Sequence, residues 1–461
     1  MTAGPVVGGE EGRAAAVPGG PATEAGDGED AATGTPSGGE PGAPPVLPLA
    51  GRARVVLRRL ALRDFRNFER LELTVPADGL VVVGENGHGK TNLLEAIYYL
   101  QLLRSVRGAR DVELVRFGAG GFHVSAELDR PAPERPTAQA TGHVAAVGFE
   151  RTGKRKRARL DGAEPPRLSD ALGAVPAVIF SPGDVALVAG SPAERRRYLD
   201  VVLALTSRRY LGALQAYRGA LVRRNAALRD AARTGRDAGR ATVWEPALAE
   251  HGAVLWSERQ RWVAARAEAF ATLCGAIGER AAMRMRYVSA LALDPRVIGP
   301  RAVDPADGGA EPPDHRSSPP AEVEEVRLAL ARALVERRGL DLKRGLTHVG
   351  PHRDDLELAL GGRDLRVYGS AGQQRTAAIA LRMLEAATLR DHLGSEPLFL
   401  LDDPFAELDA RRAHRILGLL GEAGLGQTVL VVPRPSDIPA ELVRLTRRTI
   451  RDGVIDGGAE G

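Results

Sequence analysis

Apolar residues between positions 54 and 180 come in short runs separated by polar, glycine-containing turns, a pattern typical of β-strands. One of these runs passes directly into a glycine-rich loop and then into a helix-like stretch. Further on, a basic segment broken by glycine predicts a hairpin at a sheet edge. The predicted elements are strands at Val55–Leu62, Leu71–Val75, Gly79–Val83 and Pro176–Phe180, a helix at Asn92–Leu103, and the hairpin within Ala140–Asp161.

After Pro192 the apolar spacing changes from that of strands to that of helices. Tyr210, Leu214 and Tyr217 recur at intervals of three or four residues, as one helix face requires. A second stripe runs from about Pro246 to Arg284, and two such helices favour an antiparallel hairpin. Glu322–Arg338 is predicted to be a third helix.

These patterns predict an α/β body interrupted by a mainly helical block, followed by further strands at Leu356–Leu360, Pro397–Asp403 and Gln427–Val432. The first fifty residues are rich in Gly, Pro, Ala and Glu, so they cannot bury enough apolar surface to offset chain entropy. The predicted division is a disordered extension at 1–52, first body half at 53–191, helical arm at 192–343 with a flexible segment at 304–320, second body half at 344–455, and disordered tail at 456–461.

The loop after the strand at Gly79–Val83 matches the pattern G-x-x-x-x-G-K-[ST] at every fixed position. Its glycines let backbone N–H groups close around phosphates, and the following helix points its positive end at the anion. Only four of the 63 Lys and Arg residues are lysine, and one of them lies here. The alternative is a chance glycine-rich turn. The predicted nucleotide-binding residues are Gly84, Glu85, Asn86, Gly87, His88, Gly89, Lys90 and Thr91, with Lys90 also catalytic.

A second motif, Pro397–Asp403, has the form of a Walker B strand that delivers two carboxylates at its carboxyl end. We expect Asp402 to hold Mg²⁺ together with the Thr91 hydroxyl, and Asp403 to act catalytically by orienting the attacking water. A strand that ends in a solvated acidic turn is the alternative.

Gly369–Arg375 precedes a predicted helix, Thr376–Arg390, and is similar to the S-x-G-Q signature of ABC-type ATPases. The resemblance implies that Ser370, Gly372 and Gln373 contact the γ-phosphate of an ATP bound by another subunit. A simple helix cap is the alternative. Ala406–Asp409 is similar to an ABC D-loop, with a capping turn as its alternative.

In this order, the motifs predict an ABC-type P-loop ATPase head with an inserted helical arm. Several further stretches resemble the RecF family of SMC-like ABC ATPases. They are Leu62–Phe68, Arg104–Arg107, Phe180–Asp184, Gly190–Arg196 and Gly350–Leu356.

The resemblance implies an ATP-dependent homodimer with two sandwiched ATP molecules, slow DNA-stimulated hydrolysis, and binding of single-stranded, gapped or junction DNA. It also implies partnership with RecR and RecO in loading recombinase, with links to recombinational repair, replication restart and the SOS response. The chain departs from the family pattern in residues 1–52. Asp403 stands where many ABC proteins have glutamate, and Val432–Pro435 replaces a threonine-containing turn and contains no histidine switch.

Composition narrows the picture a little further. The net charge is only +4, so a local basic patch is expected in place of a basic coat. With Cys274 as its one cysteine, the chain can form no internal disulfide and no cysteine-based zinc site, which fits a cytoplasmic protein. No apolar run approaches the length that spans a bilayer, so no membrane partner is expected.

Three basic groups are candidates for DNA contact, and the sequence does not choose among them. For each arginine, a solvated face or an ion pair is an alternative. A scaffold that binds ATP without useful hydrolysis and an ABC transporter ATPase subunit remain competing functions, the second disfavoured by the missing histidine switch. The groups are Arg104, Arg107 and Arg110; Lys154, Arg155, Lys156 and Arg157; and Arg195, Arg196, Arg197, Arg208 and Arg209.

Overall fold

The fold is that of a computed structural model, which describes residues 53–131, 141–235, 239–291, 323–405, 408–422 and 426–456. All of them fall within one compact unit, Pro45–Gly461. The predicted extension at 1–52, the flexible segment at 304–320 and residues 457–461 of the predicted tail lie outside the described residues, as do Ala406 and Glu407.

One layer is an antiparallel sheet of the order β2-β1-β4-β5-β6. Its strands alternate between buried and exposed residues because one face packs on the core and the other meets solvent. The β5–β6 hairpin lies at the edge, which confirms the predicted hairpin. The strands are β1 (Val56–Phe65), β2 (Phe68–Thr74), β4 (Gly121–Arg130), β5 (Thr141–Glu150) and β6 (Arg155–Leu160).

A second sheet has the order β14-β13-β3-β12-β11-β7, and all its pairings except β13–β14 are parallel. Apart from Thr428 and Asp402 at strand ends, the central strands are apolar because both of their faces are covered. The strands are β3 (Gly79–Val83), β7 (Ala177–Phe180), β11 (Leu398–Asp402), β12 (Thr428–Val432), β13 (Thr446–Arg451) and β14 (Val454–Ile455).

Helix α1 (Lys90–Leu102) contacts strands of both sheets, and nearly all its side chains are buried. On its side of the parallel sheet, Leu80 and Val82 share one core with Tyr99 and the antiparallel sheet. On the other side, Val81 belongs to a core with helices α10 (Ala371–Leu393) and α11 (Ala410–Glu422). Successive residues of β3 therefore serve different cores, as the two-residue period of a strand requires.

The helical block has its own core, in which the predicted stripe of Tyr210, Leu214 and Tyr217 is buried. Helix α5 packs on α7, and α7 on α8. The helices of this block are α4 (Pro192–Thr206), α5 (Arg208–Thr234), α6 (Gly239–Thr242), α7 (Glu245–Ile277) and α8 (Val323–Arg344); short helices elsewhere are α2 (Asp111–Leu114), α3 (Ala186–Ala189) and α9 (Leu365–Tyr368).

Two features differ from the predictions. Met283–Val288 forms a strand, β8, that pairs with β9 (Asp355–Leu360) and, through it, with β10 (Arg363–Asp364), although the sequence pattern placed its first two residues in a helix. Strand β12 is not the last strand, because β13 follows and pairs with β3. The division at residues 191 and 343 stays a prediction, and the β8–β9 pairing crosses the second of these boundaries. None of the helices in the described ranges has the length and apolarity that crossing a bilayer demands.

Candidate functional site

The loop between β3 and α1 has the backbone of a phosphate-binding loop. Gly87 and Gly89 have φ angles of 92° and 108°, which glycine adopts readily and other residues rarely do. A Cβ on Gly89 would lie 2.5 Å from the Asn67 amide, and one on Gly84 would lie 2.5 Å from the Ile450 carbonyl oxygen. The turn therefore requires glycine at 87 and 89, and the close approach of neighbouring residues requires it at 84 and 89.

The Lys90 side chain folds back over the loop. Its Nζ donates hydrogen bonds to the carbonyl oxygens of Gly84 at 2.6 Å and Glu85 at 2.8 Å, with the Asn86 side chain 3.5 Å away. Only 7% of the residue is exposed. Burial lowers the pKa of the ammonium, while Asp402, Asp403 and Glu85 act in the opposite direction. The lysine is therefore held as a positive charge at the point where nucleotide phosphates would lie.

Thr91 and Asp402 come together as the sequence predicts. The Thr91 hydroxyl donates to Asp402 Oδ1 at 3.2 Å, across 311 residues of sequence. Burial raises the pKa of Asp402 and Asp403 raises it further, whereas the hydrogen bond from Thr91 and the charges of Lys90 and Arg107 lower it. Mg²⁺ is usually bound by one or two protein oxygens plus phosphates and water, and these two side chains fit that demand. In the described ranges no group of three His, Cys, Asp or Glu side chains could hold a metal.

Asp403 has a backbone φ of 44°, a conformation that costs energy for any residue with a Cβ. Its N–H donates to the Val431 carbonyl oxygen at 3.0 Å, which ties the turn to β12. Burial raises the pKa of its carboxyl group, and the nearby Asp437 raises it further, whereas Lys90, Arg375 and Arg434 oppose the shift. A half-buried carboxylate in a strained turn beside the P-loop could orient a water molecule for attack.

Distant segments hold the P-loop in place, and sequence reasoning missed them. His88 Nδ1 lies 2.9 Å from Asp452 Oδ1, and the Gly453 N–H donates to the His88 carbonyl oxygen at 3.1 Å. On the other side, Asn67 donates to the same carbonyl and accepts from Asn92. His88, predicted as a nucleotide-binding residue, thus also connects the P-loop to the β13–β14 turn.

The signature segment lies at the N-terminus of α10. Ser370 Oγ accepts from the Gln373 N–H at 3.3 Å, and Gln373 Oε1 accepts from the Ser370 N–H at 2.9 Å. This reciprocal capping box leaves the helix end exposed. Across the described ranges, no hydrogen bond or ion pair joins Ser370, Gly372 or Gln373 to the P-loop, Asp402 or Asp403.

The signature helix is nevertheless tied to its surroundings by two arginines. Arg375 donates to the carbonyl oxygens of Ser181 at 3.2 Å and Pro404 at 2.8 Å, directly after the Walker B carboxylates. Arg412 on α11 contacts Glu279 at 3.1 Å and the α10 hydroxyl of Thr376 at 3.4 Å. Asp409 of the predicted D-loop caps α11 by accepting from the Arg412 N–H, as its capping alternative proposed.

The basic groups proposed for DNA contact divide according to their partners. Arg195 is buried and forms a two-pronged ion pair with Asp355 at 2.8 Å, so it is structural. Lys156 is also occupied, with Asp111 at 2.7 Å and the Leu103 carbonyl oxygen. Arg155 on the edge strand and Arg209 on α5 are exposed and remain candidates.

The His352–Asp355 turn is held by hydrogen bonds of partly or fully buried side chains. The Tyr217 hydroxyl and His352 Nδ1 lie 2.7 Å apart, and burial lowers the pKa of this imidazole to about 4. The carboxylate of Asp354 accepts from Tyr287 and Ser289.

Cys274 is buried, which raises the pKa of its thiol to about 12.

A P-loop and a two-carboxylate strand on one parallel sheet, followed by a capped and exposed signature helix, define an ABC-type ATPase head. The helical block between its halves gives the class found in SMC-like proteins. The family model described as RecF/RecN/SMC N terminal domain matches residues 56–447. The chain belongs to this family. Its similarity to the relatives described next shows that, within the family, it belongs to the RecF proteins.

The DNA replication and repair protein RecF of Chloroflexus aggregans is 34% identical and covers 87% of this chain and 100% of its own. RecF of Anaeromyxobacter dehalogenans is 39% identical over 79% of this chain and 89% of its own. A solved structure of the recombination mediator RecF with ATP, of the RecFOR pathway, is 26% identical with a TM-score of 0.73; it covers 88% of this chain and 98% of that one.

Proposed function

We propose that this protein is an ATP-dependent DNA-binding protein of recombinational repair and replication restart. In this proposal two chains close around two ATP molecules and thereby hold single-stranded, gapped or junction DNA. The main support is that one chain holds only part of the ATP site. Lys90, Thr91, Asp402 and Asp403 lie close together. Ser370 lies on an exposed helix end and does not contact them. A second chain would complete the site.

Each residue has a distinct role in the proposed cycle. Lys90 leaves the carbonyl oxygens of Gly84 and Glu85 to meet the β- and γ-phosphates, an exchange of neutral acceptors for charged ones. Thr91 and Asp402 would hold Mg²⁺, which neutralises phosphate charge when bound. Ser370 and the N–H groups at the start of α10 would contact the γ-phosphate of the partner's ATP, since a helix N-terminus favours anions.

Hydrolysis then opens the dimer and releases DNA. Asp403 would orient the water, and its strained backbone and raised pKa fit a slow reaction. In keeping with the RecFOR pathway named for the structural relative, we propose RecR and RecO as partners in loading recombinase.

Analytical ultracentrifugation with ATP tests the proposal directly. The wild type should dimerise with ATP, more strongly with gapped DNA, whereas Lys90→Arg should stay monomeric because a guanidinium does not fit the lysine's place. Lys343→Arg is the matched control, since Lys343 is exposed at the end of α8. A wild type that remains monomeric with ATP and DNA would overturn the proposal.

The rate of ATP hydrolysis distinguishes the proposed cycle from a scaffold that binds ATP without useful hydrolysis. Asp403→Asn should lower ATP hydrolysis by about a hundredfold, a typical loss for a group that positions or activates the nucleophile, while ATP-induced dimerisation remains. Unchanged hydrolysis would remove Asp403 from the mechanism and favour a scaffold that binds ATP without using its cleavage.

A further inference from the structure

A cavity of about 550 Å³ lies where the loop after α1 meets helices α4, α5 and α7. None of its lining residues belongs to the P-loop or to Asp402 and Asp403. Its volume is in the range of small-molecule sites. Five arginines line it, and they are Arg104, Arg196, Arg197, Arg218 and Arg259.

The residues that line this cavity carry more positive than negative charge. Arg218 and Arg259 share one carboxylate, Asp200, with nitrogen–oxygen distances of 2.7 Å each. Arg196 and Arg197 donate only to the backbone carbonyl oxygens of Asp354 and Ser105, and neither forms an ion pair within the described ranges. Among the lining residues one carboxylate therefore faces five guanidinium groups, and although Asp354 and Asp355 also attract Arg196, the lining carries an excess of positive charge.

Arg104 has the least favourable position of the five. It is half-buried and, across the parts of the chain that the structure describes, it donates no hydrogen bond and forms no ion pair. Burial lowers the pKa of its guanidinium, and the positive charges of Arg197 and Arg218 lower it further, against the attraction of Asp200. Partial burial of a cation without a partner costs free energy, which makes Arg104 a candidate for binding an anionic ligand.

Part of the cavity lining is apolar. Leu214, Leu221 and Leu255 line it together with the ring of Tyr217, whose hydroxyl is already paired with His352. Burial keeps that histidine neutral, so it does not add charge. The cavity therefore offers a ligand both positive groups and apolar surface, and the two kinds of side chain alternate along α5 and α7.

We propose that this cavity binds a nucleoside phosphate, with the phosphate on Arg104 and its neighbouring arginines and the base against the leucine and tyrosine side chains. The ligand could be supplied as a nucleotide of a DNA strand or as a free nucleotide. In the first case the proposal rests on the DNA binding proposed above, and in the second it does not.

The loop that carries Arg104 also contacts the ATP site. Ser105 Oγ donates to Glu95 on α1, and Arg107 donates to Asn92 Oδ1 at 3.3 Å, one residue beyond Thr91. Ligand binding in the cavity is thereby connected to the P-loop helix. The experiment must consequently separate binding at the two sites.

The test measures binding of three probes to the full chain carrying Lys90→Ala, which disables the P-loop. The probes are dTMP, a fluorescent ten-nucleotide oligo-dT with a 5′-phosphate, and the same strand without it. Adding Arg104→Ala or Arg218→Ala should weaken binding of the recognised probe about tenfold or more, because each removes a charged donor. Adding Arg332→Ala should not, since Arg332 is exposed on α8 outside the cavity lining.

The three probes distinguish a free nucleotide from a DNA strand as the source of the bound nucleoside phosphate. Binding of dTMP alone assigns a free nucleotide, binding of the phosphorylated strand assigns a strand end, and equal binding of both strands assigns internal phosphates. Absence of binding by every probe, or binding that Arg104→Ala leaves unchanged, overturns the proposal. Arg104→Ala should also leave the thermal midpoint undiminished, because no hydrogen bond is lost. ATP-induced dimerisation with Lys90 intact is a separate readout, so the two proposals can fail independently.

Discussion

At the scale of single residues, the protonation of Asp403 connects the geometry of the site to its chemistry. Burial and the negative charge of Asp437 both raise the pKa of this carboxyl group, so it takes up a proton at a higher pH than an ordinary aspartate. Only the deprotonated form can orient and activate water. ATP hydrolysis should therefore fall as the pH is lowered through this raised pKa.

Asp437→Asn should move that acidic fall in activity to lower pH. Removing a negative neighbour favours the charged form of Asp403, and it also frees Arg434, which pairs with Asp437 at 3.2 Å. Because the Asp437 side chain is partly exposed, the move should be less than about one pH unit. The pH profile of turnover measures it, with Asp456→Asn as a control for loss of one exposed carboxylate. A profile that stays in place would mean that Asp403 does not limit the rate in acid.

A buried ion-pair network in the helical block shows how strongly residue effects depend on burial. Arg224 has no exposed surface and contacts Asp341 at 2.7 Å and Glu245 at 3.0 Å, which joins α5, α7 and α8. Its neighbour Arg223 instead lies over the Trp244 ring near the surface. The two arginines share a helix and differ mainly in their surroundings.

Arg224→Met should lower the free energy of unfolding by about 3–5 kcal/mol, because it removes the guanidinium from the fully buried Asp341, whereas Glu245 keeps Arg338 at 2.6 Å. Arg223→Met should cost at most about 1 kcal/mol, the size of an exposed cation–π contact. Urea unfolding of the two variants provides the comparison. Similar losses for both would show that the network contributes little and that packing of the three helices dominates.

At the scale of elements, the sequence predicted the structure of short continuous stretches and missed elements that are defined by their pairing with distant strands. The strand, loop and helix of the P-loop lie within one short stretch, so spacing and glycine pattern suffice. Strand β13 escaped because only one residue in Thr446–Arg451, Ile450, is buried, so no apolar run marks it. Strand β8 does alternate, with Met283, Met285 and Tyr287 buried, but that signal was assigned to the preceding helix.

The contact between His88 and Asp452 could not be foreseen for a different reason. The two residues are 364 positions apart, and nothing in either local sequence marks the other. The same holds for Arg104, whose local sequence does not reveal that four other arginines gather around it. Such sites follow from tertiary packing, which residue patterns specify only through the whole fold.

The β13–β14 turn gives an element-scale prediction with a matched control. Gly453 has φ +82°, and a Cβ there would lie 2.7 Å from the Asn67 carbonyl oxygen. Gly118 has φ +83°, but its Cβ would meet nothing within 4 Å. Both alanine variants incur the backbone cost of the left-handed conformation, and only Gly453→Ala also displaces a neighbour.

Gly453→Ala should therefore lose about 1–3 kcal/mol more stability than Gly118→Ala, the usual cost of an overpacked site. It should also weaken ATP binding, since Asn67 and the turn both hold the His88 carbonyl oxygen. Thermal unfolding and ATP titration measure the two effects. Equal ATP affinity of both variants would show that the turn does not position the P-loop.

At the scale of the whole molecule, the site proposed for ATP is half complete in one chain. The P-loop and Walker B residues lie at the carboxyl ends of β3 and β11, while Ser370 begins a separate helix. A site built from two chains can be tested by complementation. One variant carries a defect in the P-loop half, a second variant carries a defect in the signature half, and a mixed dimer can still contain one intact site.

Lys90→Ala and Ser370→Arg should each abolish turnover as pure proteins, because every site in each dimer then carries one defect. Mixed in equal amounts, the two variants can form a mixed dimer that contains one site with both halves intact, whereas neither variant can form an intact site with itself. The mixture should therefore regain turnover, up to roughly a quarter of wild-type activity if the chains pair at random and the two sites act independently. Lys90→Ala mixed with Thr91→Ala is the control, since both changes lie in the same half and no intact site can form. Recovery only in the first mixture would establish that Ser370 acts on the nucleotide of the opposite chain. Equal recovery in both mixtures, or full activity of Ser370→Arg alone, would place all the required groups within one chain.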